Sequence, residues 1–141
     1  MKKGFCVILC VGEPKRESGI KNQELKNAKN YIKKQLRKDL KGSHSSKFKI
    51  HNSLIIAYEP VWAIGKGRND TPEDVSEMAV FIKQLLVKSF KLKVKVLYGG
   101  SVTSKNVSDF LNRKEIDGLL IGGASVRLKA LKAIIRSIRN K

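Results

Sequence analysis

The chain has 141 residues, a length that suits one domain with a sizeable core. Its 30 Lys and Arg residues outnumber its 12 Asp and Glu residues, and the resulting charge of +18 favours an anionic partner such as a phosphorylated metabolite, nucleic acid or an acidic protein. No stretch reaches the roughly 18 apolar residues of a membrane span, and two cysteines are too few for a disulfide framework, which fits a reducing cytoplasm.

The first ten residues imitate a short signal peptide. The apolar part is too brief for that role, however, and residues 12–14 (Gly-Glu-Pro) make a poor cleavage site. We therefore predict a buried parallel strand over residues 5–10.

The two cysteines, Cys6 and Cys10, lie on this predicted strand. They are too far apart along an extended strand to bond each other. Together with His44 and His51 they do not make a convincing ligand set, so we expect structural cysteines, no metal and no cofactor.

An amphipathic helix is predicted over residues 23–40, because apolar residues recur every three or four positions there. The stripe consists of Leu25, Ala28, Ile32, Leu36 and Leu40. A Ser-rich loop over residues 42–46 then leads to a second strand over residues 53–58.

Glu59 follows this second strand and precedes Pro60, which keeps Glu59 out of the α region. An apolar run carrying the only tryptophan comes next and ends at Gly65 and Gly67. Apolar side chains in a loop need a surface to cover. We therefore interpret residues 60–67 as a lid that closes over a catalytic carboxylate at the end of the strand; the alternative is a solvated glutamate before an ordinary loop.

The second half of the chain continues the alternation of strand and helix. Thr71 as an N-cap, followed by Pro72 and two acidic residues, predicts a helix start. Its expected buried face consists of Val75, Met78, Ala79, Ile82, Leu85 and Leu86.

A third strand (residues 94–98), a short helix (105–111), a fourth strand (118–121) and a final helix complete the pattern. The final helix is expected to turn its apolar residues inward: Leu128, Leu131, Ile134, Ile135 and Ile138. Four strand–helix units predict the α/β class with a parallel sheet. Periodicity alone leaves an open doubly wound sheet and half a barrel as alternatives.

Four segments, in order, resemble the triosephosphate isomerase family. Residues 57–67 match the family's lid segment, Ala-Tyr-Glu-Pro-Val-Trp-Ala-Ile-Gly-Thr-Gly, except at Lys66. Residues 10–13 are similar to its strand-five turn, residues 98–102 to its strand-seven turn, and residues 117–125 to its strand-eight turn.

The resemblance, which Arg16 and Gly19 extend, covers almost the whole chain. It implies the C-terminal half of a (β/α)8 TIM barrel, strands five to eight, with four parallel strands alternating with helices. A complete barrel of this kind has about 250 residues. Residues 1–141 would then form a single partial TIM-barrel domain.

The resemblance also implies roles for five residues. Glu59 would be the catalytic base; the family is itself a standard example of a glutamate base shielded by loop closure. Gly65, Ser101, Gly122 and Gly123 match the family's phosphate contacts, although such glycines also serve ordinary tight turns. Residues 122–125 could in addition point a helix N-terminus at the phosphate.

Other residues receive lesser expectations. Lys66 could add charge near a bound phosphate, loosen the lid or do neither. Glu13, Arg16 and Tyr98 are expected to support and orient their neighbours.

The family's catalytic lysine and histidine belong to segments that this sequence does not match. Neither His44 nor His51 has the histidine's motif context, so we expect both to be surface or structural residues.

The resemblance implies an isomerase fragment of glycolysis and gluconeogenesis, cytoplasmic, that interconverts dihydroxyacetone phosphate and glyceraldehyde 3-phosphate. Its partners would be the triose phosphate and either a complementing N-terminal half-barrel chain or a second copy of itself. Alone, it should be weakly active or inactive. One alternative is a non-catalytic phosphate-binding half-barrel module; nucleic-acid binding is not expected, because aromatic content is only 6% and no basic cluster alternates with stacking residues.

Overall fold

The computed structural model describes residues 6–16, 21–41 and 54–139. Within them, strands and helices alternate in the predicted order, and the predicted boundaries agree to within a few residues. The elements are β1 (Val7–Val11), α1 (Lys21–Asp39), β2 (Leu54–Tyr58), α2 (Pro72–Phe90), β3 (Lys95–Tyr98), α3 (Val107–Leu111), β4 (Gly118–Leu119) and α4 (Leu128–Arg139). A 3₁₀ turn, Val61–Ala63, lies within the lid.

The four strands form one parallel sheet in the order β1-β2-β3-β4. Each strand therefore lies beside its neighbour in the chain, and each connection between them passes through a helix where the structure describes it. This confirms the predicted fold class: four parallel strands alternate with helices in the arrangement of a partial (β/α)8 barrel.

The core lies where α1 and α2 pack against each other and the sheet. All five residues of the predicted α1 stripe are buried, and α2 buries all but Leu85 of its predicted face, with Leu85 half-buried. Ile56, Tyr58, Val96 and Tyr98 contribute the sheet side of this core. Burial of a large apolar side chain contributes about 1.5–3 kcal/mol, so these contacts hold the strand ends in place.

Helix α2 begins as its sequence predicts. The Thr71 hydroxyl accepts a hydrogen bond from the Asp74 N–H at 3.2 Å, and Pro72 occupies the first turn. At its other end Lys91 adopts the left-handed conformation with φ 55°. Local signals alone specify this helix start.

The exposure of β1 contradicts the prediction of a buried strand. Only Val11 is buried, whereas Val7 and Ile8 are 45% and 47% exposed and both cysteines are exposed. The reason is that β1 pairs with β2 alone among the described residues, so one of its edges and part of its surface stay uncovered.

Helix α4 corrects a second prediction. Of its five apolar residues expected to face inward only Ile134 is buried, while Leu128, Ile135 and Ile138 are exposed. Helix α4 packs on α3 beside the last strand of the sheet. Among the described residues no further strand or helix covers its remaining apolar side.

Some predictions concern residues outside the described part of the chain. They are the loop over residues 42–46, His44, His51 and Gly19. Within the part that is described, no helix is both long enough and apolar enough to cross a membrane.

Candidate active site

The backbone at the C-terminal ends of the strands fixes the position of the site. The N–H groups of Glu59, Gly99 and Leu120 each donate to a carbonyl of the preceding strand, at 2.7, 2.9 and 2.8 Å. The parallel ladder therefore continues past the strands, and the residues that follow them lie side by side at one edge of the sheet.

A cleft of about 380 Å³ opens at this edge. All five predicted site residues line it: Glu59, Gly65, Ser101, Gly122 and Gly123. It is also lined by Thr103, Ser104 and Arg127, which the sequence reasoning missed. The structure thus brings the candidate carboxylate, the lid glycine and the two strand-end turns to one cavity.

Glu59 is held closely by two glycines. A Cβ atom on Gly99 would lie 2.8 Å from the Glu59 Oε1 atom, and one on Gly12 would lie 1.8 Å from the Glu59 carbonyl oxygen. Neither distance is possible for a real side chain. Glycine at these positions therefore allows β1 and β3 to pass directly beside the glutamate.

Cys10 is a titratable neighbour of Glu59, and the sequence alone did not assign it to the site. Desolvation, together with a hydrogen bond to Glu59 and the charge of that carboxylate, raises the pKa of the Cys10 thiol to about 11. The thiol therefore stays protonated and contacts the carboxylate, whereas a purely structural cysteine was expected. The alternation of side chains along the strands could have indicated this contact. Cys10 pairs with Ala57, and Glu59 lies two residues further on the same side.

The lid is attached at both ends and partly covers the site. Ala63 is buried, whereas Val61 and Ile64 are 50% and 45% exposed, so the apolar run is only half covered. Gly65 and Gly67 adopt φ values of 68° and 65°, a region that favours glycine.

Ser101 joins the lid to the β3 end. Its hydroxyl donates to the Ala63 carbonyl at 2.6 Å, and its own φ is 48°. The family resemblance predicts a contact between this hydroxyl and phosphate. In the structure the hydroxyl is engaged by the lid.

The predicted supporting residues form a polar cluster behind the lid. The Trp62 indole N–H donates to the Glu13 Oε1 atom at 3.0 Å, and the Tyr98 hydroxyl accepts from the Asp70 N–H at 3.0 Å. Arg16 reaches Asp70 at 2.6 Å. These contacts orient the two ends of the lid.

Asp70 and Asp74 also belong to this cluster, a role that the sequence alone did not predict. Both precede or begin a helix, where acidic residues are ordinarily solvated, yet both are buried. Burial raises the pKa of Asp70 to about 6, against the opposing effect of the Arg16 charge. Burial and neighbouring carboxylates likewise raise the pKa of the Tyr58 and Tyr98 hydroxyls, so both remain protonated.

The turn after β4 differs from the helix N-terminus that was expected. Residues 122–127 form successive turns, with the Ser125 N–H donating to the Gly122 carbonyl at 2.8 Å, and α4 begins only at Leu128. A Cβ on Gly122 or Gly123 would meet nothing within 4 Å. The cradle is therefore roomy, and its exposed cation is Arg127 from the end of the turn.

Lys66 is exposed between two glycines that line the cleft, and it does not itself line it. Among the described residues no group of three or more His, Cys, Asp or Glu side chains is arranged to hold a metal ion.

This geometry suits one kind of chemistry. A carboxylate at the end of a parallel strand can exchange a proton with a bound molecule, while glycine N–H groups and an arginine can hold an anionic group nearby. A lid can exclude water from both. Fold and cleft together define a protein of the α/β class, with the arrangement of a partial barrel and a cleft suited to a small anionic ligand.

Comparison with known proteins identifies the family. Residues 1–138 match the family model for triosephosphate isomerase. The chain is 41% identical over 140 residues to a triosephosphate isomerase of Thermus thermophilus, 40% over 139 residues to one of Carboxydothermus hydrogenoformans, and 42% over 136 residues to one of Leptospira borgpetersenii serovar Hardjo-bovis. The chain belongs to the triosephosphate isomerase family.

The matches cover nearly all of this chain but only about half of each relative. They include 96%, 94% and 91% of this chain but 53%, 51% and 50% of the three relatives. The chain thus spans about half the length of the curated relatives it matches.

Proposed function

We propose that this chain forms the C-terminal half of a triosephosphate isomerase, strands five to eight of the barrel, as one partial domain over residues 1–141. In that role it supplies the catalytic base, the lid and the phosphate cradle. One observation carries the proposal: Glu59, Gly65, Ser101, Gly122 and Gly123 line a single cleft at the C-terminal edge of the sheet.

In the proposed reaction the Glu59 carboxylate takes a proton from the carbon beside the substrate carbonyl. The electron pair of the broken C–H bond moves to form an enediolate, whose oxygen carries the charge. The proton of the adjacent hydroxyl then passes to that oxygen, a transfer that the complementing half would assist, and Glu59 returns a proton to the former carbonyl carbon. Dihydroxyacetone phosphate and glyceraldehyde 3-phosphate thus interconvert with no net oxidation or reduction.

The cradle holds the phosphate away from the reacting carbons. Gly122 and Gly123 offer backbone N–H groups in a turn with free space around it, and Gly65 approaches from the lid. Because the Ser101 hydroxyl donates to Ala63 at 2.6 Å, Ser101 acts first as the link that keeps the lid over this cradle.

The proposal includes a complementing half-barrel with four further strand–helix units. Val7 and Ile8 expose apolar surface on one outer strand, and Leu128, Ile135 and Ile138 expose it on the helix beyond the other. A complementing half would cover both surfaces and supply the general acid and the electrostatic partner that Glu59 needs. Its natural setting would be the cytoplasm, in glycolysis and gluconeogenesis.

The test mixes the purified chain with a separately produced N-terminal half of a family member and measures isomerisation in a coupled assay. We expect turnover from the mixture and little from either half alone. Glu59→Gln should abolish it, whereas Glu77→Gln, the same change in an exposed carboxylate of a surface ion pair, should not. No turnover from two folded halves would count against the proposal.

The main alternative is a phosphate-binding half-barrel module without turnover, or a self-associated one. It is favoured by the open, glycine-lined cradle, which is present without the complementing units. In that case Ser101→Ala should weaken the binding of inorganic phosphate, Glu59→Gln should not, and the complementing half should add no activity.

A further inference from the structure

We propose that Arg16 is a positioning residue that ties together the two ends of the lid from the turn after β1. Arg16 does not line the cleft, and its role would be to hold the lid in place over Glu59. The inference rests on the proposed function only for its effect on phosphate binding, since the position of the lid can be followed separately.

The first end of the lid is held through Trp62. The Arg16 guanidinium lies over the Trp62 ring, 5.2 Å from its centroid, a distance typical of a cation–π contact. The same indole donates to Glu13, and the Val61 N–H donates to the Glu13 carbonyl at 3.0 Å. Arg16 and Glu13 themselves approach to 3.4 Å.

The other end is held beyond the lid, around the start of α2. The Arg16 Nη1 atom donates there to Asp70 at 2.6 Å and to Asp74 at 3.1 Å. Its Nη2 atom donates to the Tyr58 hydroxyl at 3.1 Å, on the near side of the lid. One planar guanidinium thus contacts residues on both sides of the lid. A planar group with several donors suits this bridging, and a lysine ammonium does not.

Fold stability alone is a poor explanation for this cluster. One cation faces the three carboxylates of Glu13, Asp70 and Asp74, and the cation and Glu13 are almost fully buried. The Arg16 Nε atom is buried without a hydrogen-bond partner in the described part of the chain. Buried ion clusters of this kind are often no more stabilising than apolar packing, so a geometric role accounts for it better.

The test uses the only tryptophan, Trp62, as the reporter of lid position in the full chain. Arg16→Lys keeps the positive charge but cannot bridge both ends. We expect red-shifted Trp62 emission, stronger quenching by acrylamide, and binding of inorganic phosphate weakened by about tenfold, because the apparent Kd rises as the closed population falls.

The matched control is Arg113→Lys, since Arg113 pairs with Glu73 on the surface. It should leave Trp62 emission, quenching and phosphate binding unchanged. Equal effects from the two substitutions would overturn the proposal. A folded Arg16→Lys chain that loses only thermal stability, with Trp62 unaltered, would also overturn it.

A second variant, Asp70→Ala, removes the contact beyond the lid while leaving Arg16 in place. It should also shift Trp62 emission to the red and increase quenching by acrylamide, and an unchanged emission spectrum would contradict the proposal. Failure of both variants to fold would show that the pair holds the core rather than the lid. If the parent chain binds no phosphate, the proposed cradle fails, and Trp62 emission and quenching still decide the role of Arg16.

Discussion

The middle of the sheet and its two outer ends behave differently. At the middle, β2 and β3 lie between neighbouring strands, and Tyr58 and Tyr98 are fully buried. At the ends, Val7 on β1 and Ile135 on α4 expose close to half of their side chains. The difference teaches that Glu59 and Ser101, which follow β2 and β3, lie where the chain supplies neighbours on both sides. The turn of Gly122 and Gly123 follows an outer strand, and both ends depend on surface that the described residues do not provide.

The largest expected effect tests this contrast with one substitution in two places. Ile82→Ala, in the buried face of α2, should lower the free energy of unfolding by about 2–5 kcal/mol. Ile135→Ala, on the exposed side of α4, should change it by less than about 0.5 kcal/mol. Urea denaturation followed by circular dichroism measures both, and similar costs would mean that α4 is covered in solution.

The second prediction concerns the pH dependence of stability that arises from Asp70, a buried carboxyl group behind the lid. The pKa of Asp70 is raised from 3.8 to about 6 in the folded chain, so the folded state binds the proton more tightly than the unfolded state. The contribution of Asp70 to stability therefore falls as pH rises from about 4 to about 6 and is constant above that range. Glu13, Asp74, Arg16, Tyr58 and Tyr98 face this carboxyl group.

Asp70→Asn removes this titration. The unfolding free energy of the variant minus that of the parent should rise with pH across the window, by up to about 3 kcal/mol. A difference that does not change with pH would mean that Asp70 keeps an ordinary pKa in the folded chain.

The third prediction uses the close packing around Glu59. Gly99→Ala would place a Cβ atom 2.8 Å from Glu59 Oε1 and displace the carboxylate. In the completed barrel we expect turnover to fall by about 100-fold, because misplacement of a catalytic group by about 1 Å costs this much. Glu77→Gln, a change in an exposed surface ion pair, should alter turnover far less. Steady-state kinetics distinguish the two, and equal losses would contradict the role of Gly99.

The smallest expected effect is the loss of the N-cap of α2, which should not depend on the complementing half. Thr71→Ala removes the hydroxyl that caps α2 and should lower stability by about 1 kcal/mol. Thr71→Ser keeps the acceptor and should cost much less. Thermal melting with and without the complementing half measures this; a cost that changes greatly on complementation would show that the cap depends on tertiary contacts.

Sequence signals that act over short distances predicted much of this protein. The α1 stripe from Leu25 to Leu40 is buried throughout, and Thr71 and Pro72 mark the observed start of α2. The order of strands and helices placed Glu59 and the Gly-rich turns at the same edge of a parallel sheet. These features follow from helical periodicity, capping and chain direction, which neighbouring residues determine by themselves.

Only the tertiary structure decided which of these residues have neighbours in space. Arg16 and Asp70 are distant in sequence yet 2.6 Å apart, and Cys10 contacts Glu59 through the pairing of two strands. The exposure of α4 was likewise invisible in its apolar pattern, which looks like that of a buried helix. The physical reason is that burial and pKa depend on what packs against a residue, and the packing neighbour comes from another part of the fold.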